Sequence, residues 1–390
     1  MLVRTRLALC SFVAAVAACA GGGNTAAVPT SPSGNGVPDT GATGTPNLAY
    51  QFGAKFEPPA GRVVHGIGQW QEYNLTYAAL LPADHQPASE LIFVSLVDSL
   101  RPWNPANIAA AFAGIDARGR IPLADFAPRG GQPSPAEFAL LPDPYWAVDN
   151  EVANGTKWDA RIQDFAAVLK AFKKPVLLRI GGEMNGWWNG YHPYDFPRAY
   201  RKIVSMIRAV GASNVAFVWC YEPAGAGDFD EKNASGEYKW YPGADVVDWF
   251  SIDLYADVDI SGATSGHGTL TPYGRTLKFL DMALAEHKPV AIAESGPQQF
   301  DLTQPAQAQA AWASWFTPYF ALITNRAEIK WFTYVNYDWT KAAYYANQGW
   351  KNSDLSASPT ISPLYLAELA KAKYLHAAGK SLLKDYALYK

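Results

Sequence analysis

The sequence contains few cysteines and few charged residues, and both shortages exclude classes of protein. Only 3 of its 390 residues are Cys. Cys10 and Cys19 lie in the amino-terminal leader, so Cys220 has no disulfide partner and is expected in the hydrophobic core. Charged residues make up 17% of the chain and the net charge is −3. Such a chain has no basic surface for nucleic acid.

The chain also lacks the motifs of metal and dinucleotide sites. Its six His residues are scattered along the chain, without the pair spacing that is typical of a transition-metal site. No Gly-x-Gly-x-x-Gly follows the first strand-like run, so a dinucleotide site is not indicated. We therefore expect no metal and no cofactor.

The apolar run at the amino terminus is too short to cross a bilayer. It extends from Leu7 to Ala18, follows Arg4 and Arg6, and ends in small residues, which is typical of a secretory signal. Its end, Val16-Ala17-Ala18-Cys19, resembles the bacterial lipobox, in which the chain is cleaved before the Cys and that Cys is lipidated. An ordinary cleavage site followed by an incidental Cys is the alternative.

These patterns predict three regions in the chain. Residues 1–19 are a lipoprotein-type signal that ends at a lipidated Cys19. Residues 20–46 are nearly all Gly, Ala, Pro, Ser, Thr and Asn, and this composition buries too little apolar surface to fold, so they form a flexible linker. Residues 47–390 form the folded domain. Because Ala20 and Gly21 differ from the inner-membrane retention signal, the expected location is the outer membrane or the cell surface.

From about residue 60, strand-like apolar runs alternate with helical patterns. The eight runs lie within Arg62–Trp70, Leu91–Val97, Ile121–Phe126, Val176–Ile180, Val215–Trp219, Phe250–Tyr255, Val290–Ala293 and Ile329–Val335. Apolar spacing predicts helices over Trp158–Phe172, Asp195–Val210 and Ala306–Ile323, and a last helix near Leu364–Ala377. Strands that alternate with helices specify a parallel sheet, and eight such units favour a closed (β/α)8 barrel over a doubly wound sheet.

The stretch Val176–Trp188 combines a buried strand with residues that carry chemistry. Because strand side chains alternate between faces, Arg179, Gly181 and Glu183 are expected on one face, and the missing side chain at Gly181 would leave space beside the other two. Trp187 and Trp188 follow, and indole rings beside a carboxylate suit a sugar ring. A structural Arg–Glu ion pair is the alternative.

Glu294 ends the seventh predicted strand as Glu183 ends the fourth. In a parallel barrel both would lie at the carboxyl-terminal mouth. Glycoside hydrolysis needs such a pair, in which one carboxyl is kept protonated to donate to the leaving oxygen and the other is ionised. Capping of the following helix is the alternative for Glu294.

These motifs resemble glycoside hydrolase family 26, the β-mannanase family, and behind it clan A. The matching residues are Arg179-x-x-x-Glu183-Met184-Asn185-Gly186-x-Trp188, Tyr241–Trp249 leading into Ile252-Asp253-Leu254-Tyr255, and Glu294-Ser295-Gly296. The resemblance covers roughly residues 60–370. It implies a retaining, endo-acting β-glycosidase with Glu183 as the acid/base and Glu294 as the nucleophile. It also implies that Tyr255 hydrogen-bonds the nucleophile and that Arg179 lies beside the carboxylates.

The residue before the expected acid/base departs from the family pattern. The family has a His there that contacts the sugar at the cleavage point, whereas this chain has Gly182. The vacated space is expected either to stay open or to be filled by Asn185, His65 or Asn336. The expected substrate therefore stays open between β-mannan, β-glucan, xylan and a bacterial exopolysaccharide.

The expected substrate-binding residues surround the two Glu residues. They are Arg179, Asn185, Trp187, Trp188, Tyr255, His65, Trp331 and Asn336. Trp339 is a further candidate platform for a sugar ring. For each Trp, packing in the core or in a loop is the alternative. A non-catalytic polysaccharide-binding or polysaccharide-assembly lipoprotein on the same barrel is the second function class. In either class we expect a monomer that binds a polysaccharide and is held to a membrane by its lipid.

Overall fold

Eight parallel strands close into a barrel in the computed structural model of the chain, which describes residues 50–98, 102–131, 133, 137, 139–141, 144–225, 228–260 and 271–377. Each strand pairs with the next, and β1 pairs with both β8 and β2, so the ring is closed. The strands are β1 Val63–Gly68, β2 Ser89–Ser95, β3 Ile121–Ala127, β4 Val176–Ile180, β5 Val215–Tyr221, β6 Trp249–Tyr255, β7 Val290–Gly296 and β8 Ile329–Val335. The predicted (β/α)8 barrel is confirmed.

Helices and loops connect the strands on the outside of the barrel. In α5, apolar residues at helical spacing, such as Tyr200, Ile203 and Ile207, are buried, and Gly211 ends the helix in the left-handed conformation. The helices are α1 Gln71–Leu80, α2 Pro105–Ala117, α3 Asp149–Asn154, α4 Asp159–Phe172, α5 Asp195–Val210, α6 Pro272–Ala285, α7 Pro305–Ala311, α8 Thr317–Asn325, α9 Ala343–Ala346 and α10 Ser362–Leu369.

Two helices differ from the prediction. The helix predicted over Ala306–Ile323 contains a π-helical segment, Trp312–Phe316, between α7 and α8. Pro318 follows it and has no N–H to donate, so regular α-helical hydrogen bonding is interrupted here. The helix predicted near Leu364–Ala377 ends at Leu369, because Tyr374–Leu375 instead forms a short strand, β9, that pairs with the start of β1.

The barrel interior changes from apolar to polar along its axis. At the amino ends of the strands it is filled by buried apolar side chains, which include Val64, Leu91, Leu123, Leu177, Val218, Trp249, Ala291 and Trp331. Nearer the carboxyl ends lie Asp125, Arg179, Asp253 and Glu294, which we call the polar layer. Asp125 pairs with Arg179, and Asp253 with Glu294, on neighbouring strands, so register places these residues at similar heights.

The structure describes most of the predicted folded domain but not the other two predicted regions of the chain. The signal, the linker and Cys19 lie outside the described residues. Cys220 is buried and free, in agreement with its expected core position. In the part of the chain that the structure describes, no helix is long and apolar enough to cross a membrane.

Candidate active site

Arg179 lies at the centre of the polar layer and is 1% exposed. Its guanidinium donates to carboxylates on three other strands: from Nε to Asp125 at 2.6 Å, from Nη1 to Asp253 at 2.8 Å, and from Nη2 to Glu294. Burial alone would lower the pKa of Arg179, but the three carboxylates raise it well above its ordinary value. Arg179 therefore remains charged and ties the ends of β3, β6 and β7 to β4.

Glu294 accepts hydrogen bonds from three different parts of the barrel. Its Oε2 accepts from the Tyr255 hydroxyl on β6 at 2.9 Å and from the Gln69 amide after β1, while its Oε1 accepts from Arg179. The predicted contact between Tyr255 and Glu294 is therefore present in the structure. Converging donors stabilise a negative charge on a carboxylate and orient it.

Glu183 follows β4 in a left-handed backbone conformation, with φ 51°. Its Oε2 accepts from the indole Nε1 of Trp188 at 2.6 Å and from Asn189 at 3.4 Å. Burial and, next, the negative charge of Glu294 raise the pKa of Glu183 to about 7, although Trp188 and Arg179 oppose the shift. Glu183 can therefore carry a proton near neutral pH.

The prediction that Gly181 shares a face with Arg179 and Glu183 was wrong, because the chain turns directly after β4. The strand ends at Ile180, and Gly181 is left-handed with φ 63°, so strand alternation does not extend to Glu183. A Cβ on Gly181 would lie 2.6 Å from Phe196 on α5, on the helix side of the strand. The missing side chain beside Arg179 is instead that of Gly182.

The space beside Gly182 is filled by the polar layer. A Cβ built on Gly182 would lie 2.2 Å from Asp125 Oδ2 and 2.6 Å from Arg179 Nε. The Gly182 N–H donates to the same Oδ2 at 3.1 Å. None of the expected candidates, Asn185, His65 and Asn336, fills this space. The site accepts only glycine here because the Asp125–Arg179 ion pair occupies the place of a side chain.

The residues that follow Glu183 have separate roles. Asn185 is buried, and its amide accepts from the N–H of Glu222 at 3.0 Å and donates to the carbonyl of Glu222 at 2.8 Å. Asn185 thus joins the β4 loop to the end of β5. Trp188 contacts Glu183 through its indole N–H, while the ring of Trp187 is 51% exposed. Of the two rings, Trp187 is the one open to a ligand.

Two further predicted site residues are buried and have partners outside the polar layer. Trp331 faces the apolar amino end of the barrel, where its Nε1 donates to Ser89 Oγ at 2.9 Å. Asn336 donates to Asp354 at 2.8 Å and accepts from the N–H of Leu355 at 2.7 Å. Trp331 packs the apolar end of the barrel rather than its mouth, so its prediction as a substrate-binding residue was wrong. Asn336 uses its amide to fix a loop.

His65 also lies outside the site, because its strand position points toward the helices. Its Nε2 is 2.5 Å from the Tyr77 hydroxyl on α1, and its Nδ1 is 3.0 Å from Nδ1 of His376. Burial, and next the neighbouring His376, lower the pKa of His65 well below its ordinary value. His65 therefore joins the β9 segment to β1 as a neutral imidazole.

This histidine pair predicts acid sensitivity of folding. Burial lowers the pKa of His376 to about 4, whereas an unfolded His titrates near 6.5. The unfolded state therefore binds the extra proton first, and stability present above pH 6.5 is lost as the pH falls toward 4. The free energy of unfolding of the native protein should be lower at pH 4.5 than at pH 7. In His376→Gln we expect this difference to be smaller by about 2 kcal/mol. Urea unfolding at both pH values measures this difference.

His85→Gln is the matched control for that measurement. His85 lies against His376, with ring centroids 4.8 Å apart, but is not hydrogen-bonded to it in the structure. Because the charge of His85 also lowers the pKa of His376, the variant should keep most, but not all, of the acid loss of the native protein. An unchanged pH dependence in His376→Gln would contradict the role assigned to the pair.

Several residues around the site were not predicted from the sequence. Glu222, directly after β5, is buried, and burial and then the charge of Glu183 raise its pKa well above its ordinary value. It follows an apolar run as Glu183 does, and this position was the available signal. An aromatic cluster also lines the ends of β6 and β8, and around the expected Tyr255 and Trp339 it contains Trp70, Tyr73, Tyr337, Tyr345 and Trp350. Its signal was the density of rings after residue 336.

The arrangement brings together two carboxyl groups in unlike surroundings. Glu294 is held by three donors, whereas Glu183 is partly buried beside one negative charge and can keep a proton near pH 7. Such a pair supports nucleophilic attack by one group and proton donation by the other. Within the described ranges, no group of three or more His, Cys, Asp or Glu side chains is arranged to hold a metal.

Part of the chain is similar in sequence to known glycoside hydrolases. Residues 147–318 match the model of glycosyl hydrolase family 26. Beta-1,3-xylanase TXYA of Vibrio sp is 30% identical over 247 residues, which cover 57% of this chain and 49% of the relative. A beta-1,3-xylanase of Alcaligenes sp is 29% identical over 256 residues, which cover 60% and 50%. The chain spans about half the length of these two relatives.

Solved structures show the same fold. The catalytic domain of the family 26 endo-beta-1,4-mannanase of Bacillus sp. JAMB-750 aligns with a TM-score of 0.54 and 16% identity over 87% of this chain and 95% of that one. A family 26 beta-mannanase of Bacteroides ovatus aligns with a TM-score of 0.52 and 14% identity over 84% and 90%. The matched segment runs from β4 to β7 and includes Glu183 and Glu294. The segment that holds Glu183 and Glu294 is therefore similar to glycosyl hydrolase family 26, and the barrel has the fold of the family 26 structures described above.

Proposed function

We propose that the protein is a retaining, endo-acting β-glycoside hydrolase in which Glu183 is the acid/base and Glu294 the nucleophile. The observation that carries the proposal is the contrast between the two carboxyl groups. Glu294 accepts from Arg179, Tyr255 and Gln69, whereas the pKa of Glu183 is raised to about 7. A retaining glycosidase needs one carboxylate as nucleophile and one carboxylic acid as proton donor.

The proposed reaction uses each group twice. Glu294 attacks the anomeric carbon while Glu183 gives its proton to the leaving oxygen, which forms a glycosyl ester on Glu294. The ester carries no negative charge, so the charge that raises the pKa of Glu183 is removed at this stage. Glu183 then favours its ionised form and takes a proton from a water molecule, whose oxygen attacks the anomeric carbon and displaces Glu294 as a carboxylate. Retention also requires a carboxyl separation of about 5 Å.

We propose β-1,3-xylan as the substrate to test first. The support is that both relatives described above are named beta-1,3-xylanases, whereas the mannanase structures share only 14 to 16% identity with this chain. The Asp125–Arg179 pair beside Gly182 agrees with a site that differs from one carrying a His there. β-Mannan, mixed-linkage glucan and exopolysaccharides are the competing substrates.

A product assay tests the reaction and the substrate together. The protein is incubated with β-1,3-xylan, β-1,4-xylan, β-mannan and mixed-linkage glucan, and new reducing ends are measured. We expect internal cleavage of β-1,3-xylan, with products that first form in the β configuration by NMR. α-Configured first products would contradict retention. Binding to a polysaccharide without new reducing ends would favour the alternative of a non-catalytic binding protein.

The pH dependence should report the proton on Glu183. Since the acid form donates, kcat/KM should fall as the pH rises above about 7. The Trp188 indole stabilises the ionised form of Glu183, so its removal in Trp188→Phe should raise the pKa and move the alkaline limb to higher pH. The pH profile of kcat/KM for both proteins measures this shift. Trp187→Phe is the control and should leave the limb in place, and a shift to lower pH in Trp188→Phe would contradict the contact's role.

We also propose that Cys19 carries a lipid that anchors the protein to the outer membrane or the cell surface, with residues 20–46 as the spacer. The support is the lipobox-like sequence Val16-Ala17-Ala18-Cys19 and the composition that follows it. Replacing Cys19 by Ser should release the protein from the membrane fraction. A Cys19→Ser variant that still sediments with membranes would contradict the anchor.

A further inference from the structure

Phe93 is an exposed apolar ring inside the barrel. Its side chain is 44% exposed, and among the described residues it is the one exposed large apolar side chain that lies on a barrel strand. Exposing a Phe on a strand that is otherwise mostly buried loses favourable burial of apolar surface. An exposed ring in a site of this kind indicates a contact with a ligand.

The position of Phe93 on β2 shows where the ring faces. Leu91, two residues earlier, packs in the barrel interior, while Val94 packs in the cluster between barrel and helices. Phe93 therefore points inward, and it is paired in register with Asp125 on β3. Its ring centroid lies 5.7 Å from Cζ of Arg179. The exposed face of Phe93 thus opens into the mouth of the barrel beside the polar layer.

The polar groups next to Phe93 are already engaged. Asp125 Oδ2 accepts from both Arg179 and the Gly182 N–H, and the three nitrogens of Arg179 donate to three carboxylates. On this side of the site a ligand would meet the ring of Phe93 rather than a free donor or acceptor. The hydrogen-bonding groups that surround Glu183 and Glu294 come from other elements, namely Trp188, Tyr255 and Gln69.

We infer that Phe93 is a specificity-determining residue that forms an apolar wall against the sugar at the cleavage point and selects a pentose over a hexose. This inference rests on the proposed glycoside hydrolase function. A xylose ring has a bare CH₂ at C5, whereas glucose and mannose carry a hydroxymethyl group there. A hydroxyl pressed against an aromatic ring without a partner loses the hydrogen bonds that it makes in water. The wall therefore favours the sugar that has no such hydroxyl.

Two oligosaccharides with the same linkage isolate this effect. β-1,3-xylotetraose and β-1,3-glucotetraose differ only in the hydroxymethyl groups, so kcat/KM for each is measured with the native protein and with Phe93→Ala. We expect the native protein to prefer the xylose chain. In Phe93→Ala we expect the ratio of the two kcat/KM values to fall at least about 10-fold, because a hydroxyl can then be hydrated.

The control is Trp187→Ala, which removes another exposed ring near Glu183. It should change both kcat/KM values by the same factor. Thermal unfolding of Phe93→Ala should match that of the native protein, since the ring is only partly buried. An equal loss on both substrates in Phe93→Ala, or a native preference for the glucose chain, would overturn the inference.

Binding separates this inference from the proposed reaction. If the native protein cleaves neither chain, the proposed reaction on this linkage fails, and calorimetric titration with the same two tetrasaccharides then decides the role of Phe93. Preferential binding of the xylose chain that is lost in Phe93→Ala supports the wall. Binding of neither chain, or a preference that Phe93→Ala leaves unchanged, overturns it.

Discussion

Glu294→Ala is expected to reduce kcat on the cleaved polysaccharide by about 10⁴-fold or more, because removal of a nucleophile leaves only binding and transition-state contacts. Binding of substrate should persist, since Arg179, Tyr255 and the aromatic cluster remain. Turnover is measured from new reducing ends, and affinity by calorimetry. The proposed nucleophile would be refuted if the variant kept native activity.

Azide and a matched buried carboxylate sharpen this test. Azide is a small anion that can enter the space left by the Glu294 side chain, and we expect it to restore cleavage with a product of inverted configuration.

Glu90→Ala removes another buried carboxylate on a barrel strand, one that pairs with Arg118 and Arg120. It should lower stability while kcat changes little. A comparable loss of kcat in Glu90→Ala would mean that the Glu294 effect reports damage to the barrel.

Arg179→Met is expected to have the largest effect on stability. It leaves Asp125, Asp253 and Glu294 buried without their shared cation, and breaking a buried ion pair by removing one partner costs about 3–5 kcal/mol. Turnover should fall as well, because Arg179 donates to the proposed nucleophile. Urea unfolding and kcat measure the two losses. A stability within 1 kcal/mol of the native protein, on the order of a surface substitution, would contradict the central role of Arg179.

The stability lost in Arg179→Met should shrink at lower pH. Burial raises the pKa of Asp125 and of Asp253 even with Arg179 present, and without the guanidinium both should rise further. A folded state with raised carboxyl pKa values binds protons before the unfolded state does, so its stability increases as the pH falls toward the unfolded pKa near 3.9.

Arg326→Met is the control for the loss of kcat in Arg179→Met, because Arg326 pairs with Asp281 and Glu328 away from the polar layer. It should destabilise the protein without reducing kcat.

The fold and the two Glu residues could be read from local patterns. Each strand is a short apolar run, and each helix has apolar residues at helical spacing, so eight alternating units already specified a parallel barrel. Glu183 closely follows one of those runs, and Glu294 directly follows another. Chain direction then places both at one end of the barrel, because all strands of a parallel barrel end on the same side.

The sequence did not predict the direction in which some individual side chains point. His65 and Trp331 lie on strands whose two faces are both buried, so polarity along the strand did not show which face points inward. Asn336 lies just beyond a strand, where the course of the loop decides its partners. These three residues were assigned to the site by position in sequence, and the structure gives them partners outside the polar layer.

The sequence alone determined the barrel, the segment that holds Arg179 and Glu183, and the distant Glu294, because periodicity and strand direction depend on local order. Only the tertiary structure decided how the space around Gly182 is used. That space is filled by Asp125 and by Arg179, against which Phe93 lies, and Asp125 and Phe93 come from two strands far earlier in the chain. Their meeting depends on barrel register and on the left-handed turn after β4, and neither property is encoded in a short stretch of residues.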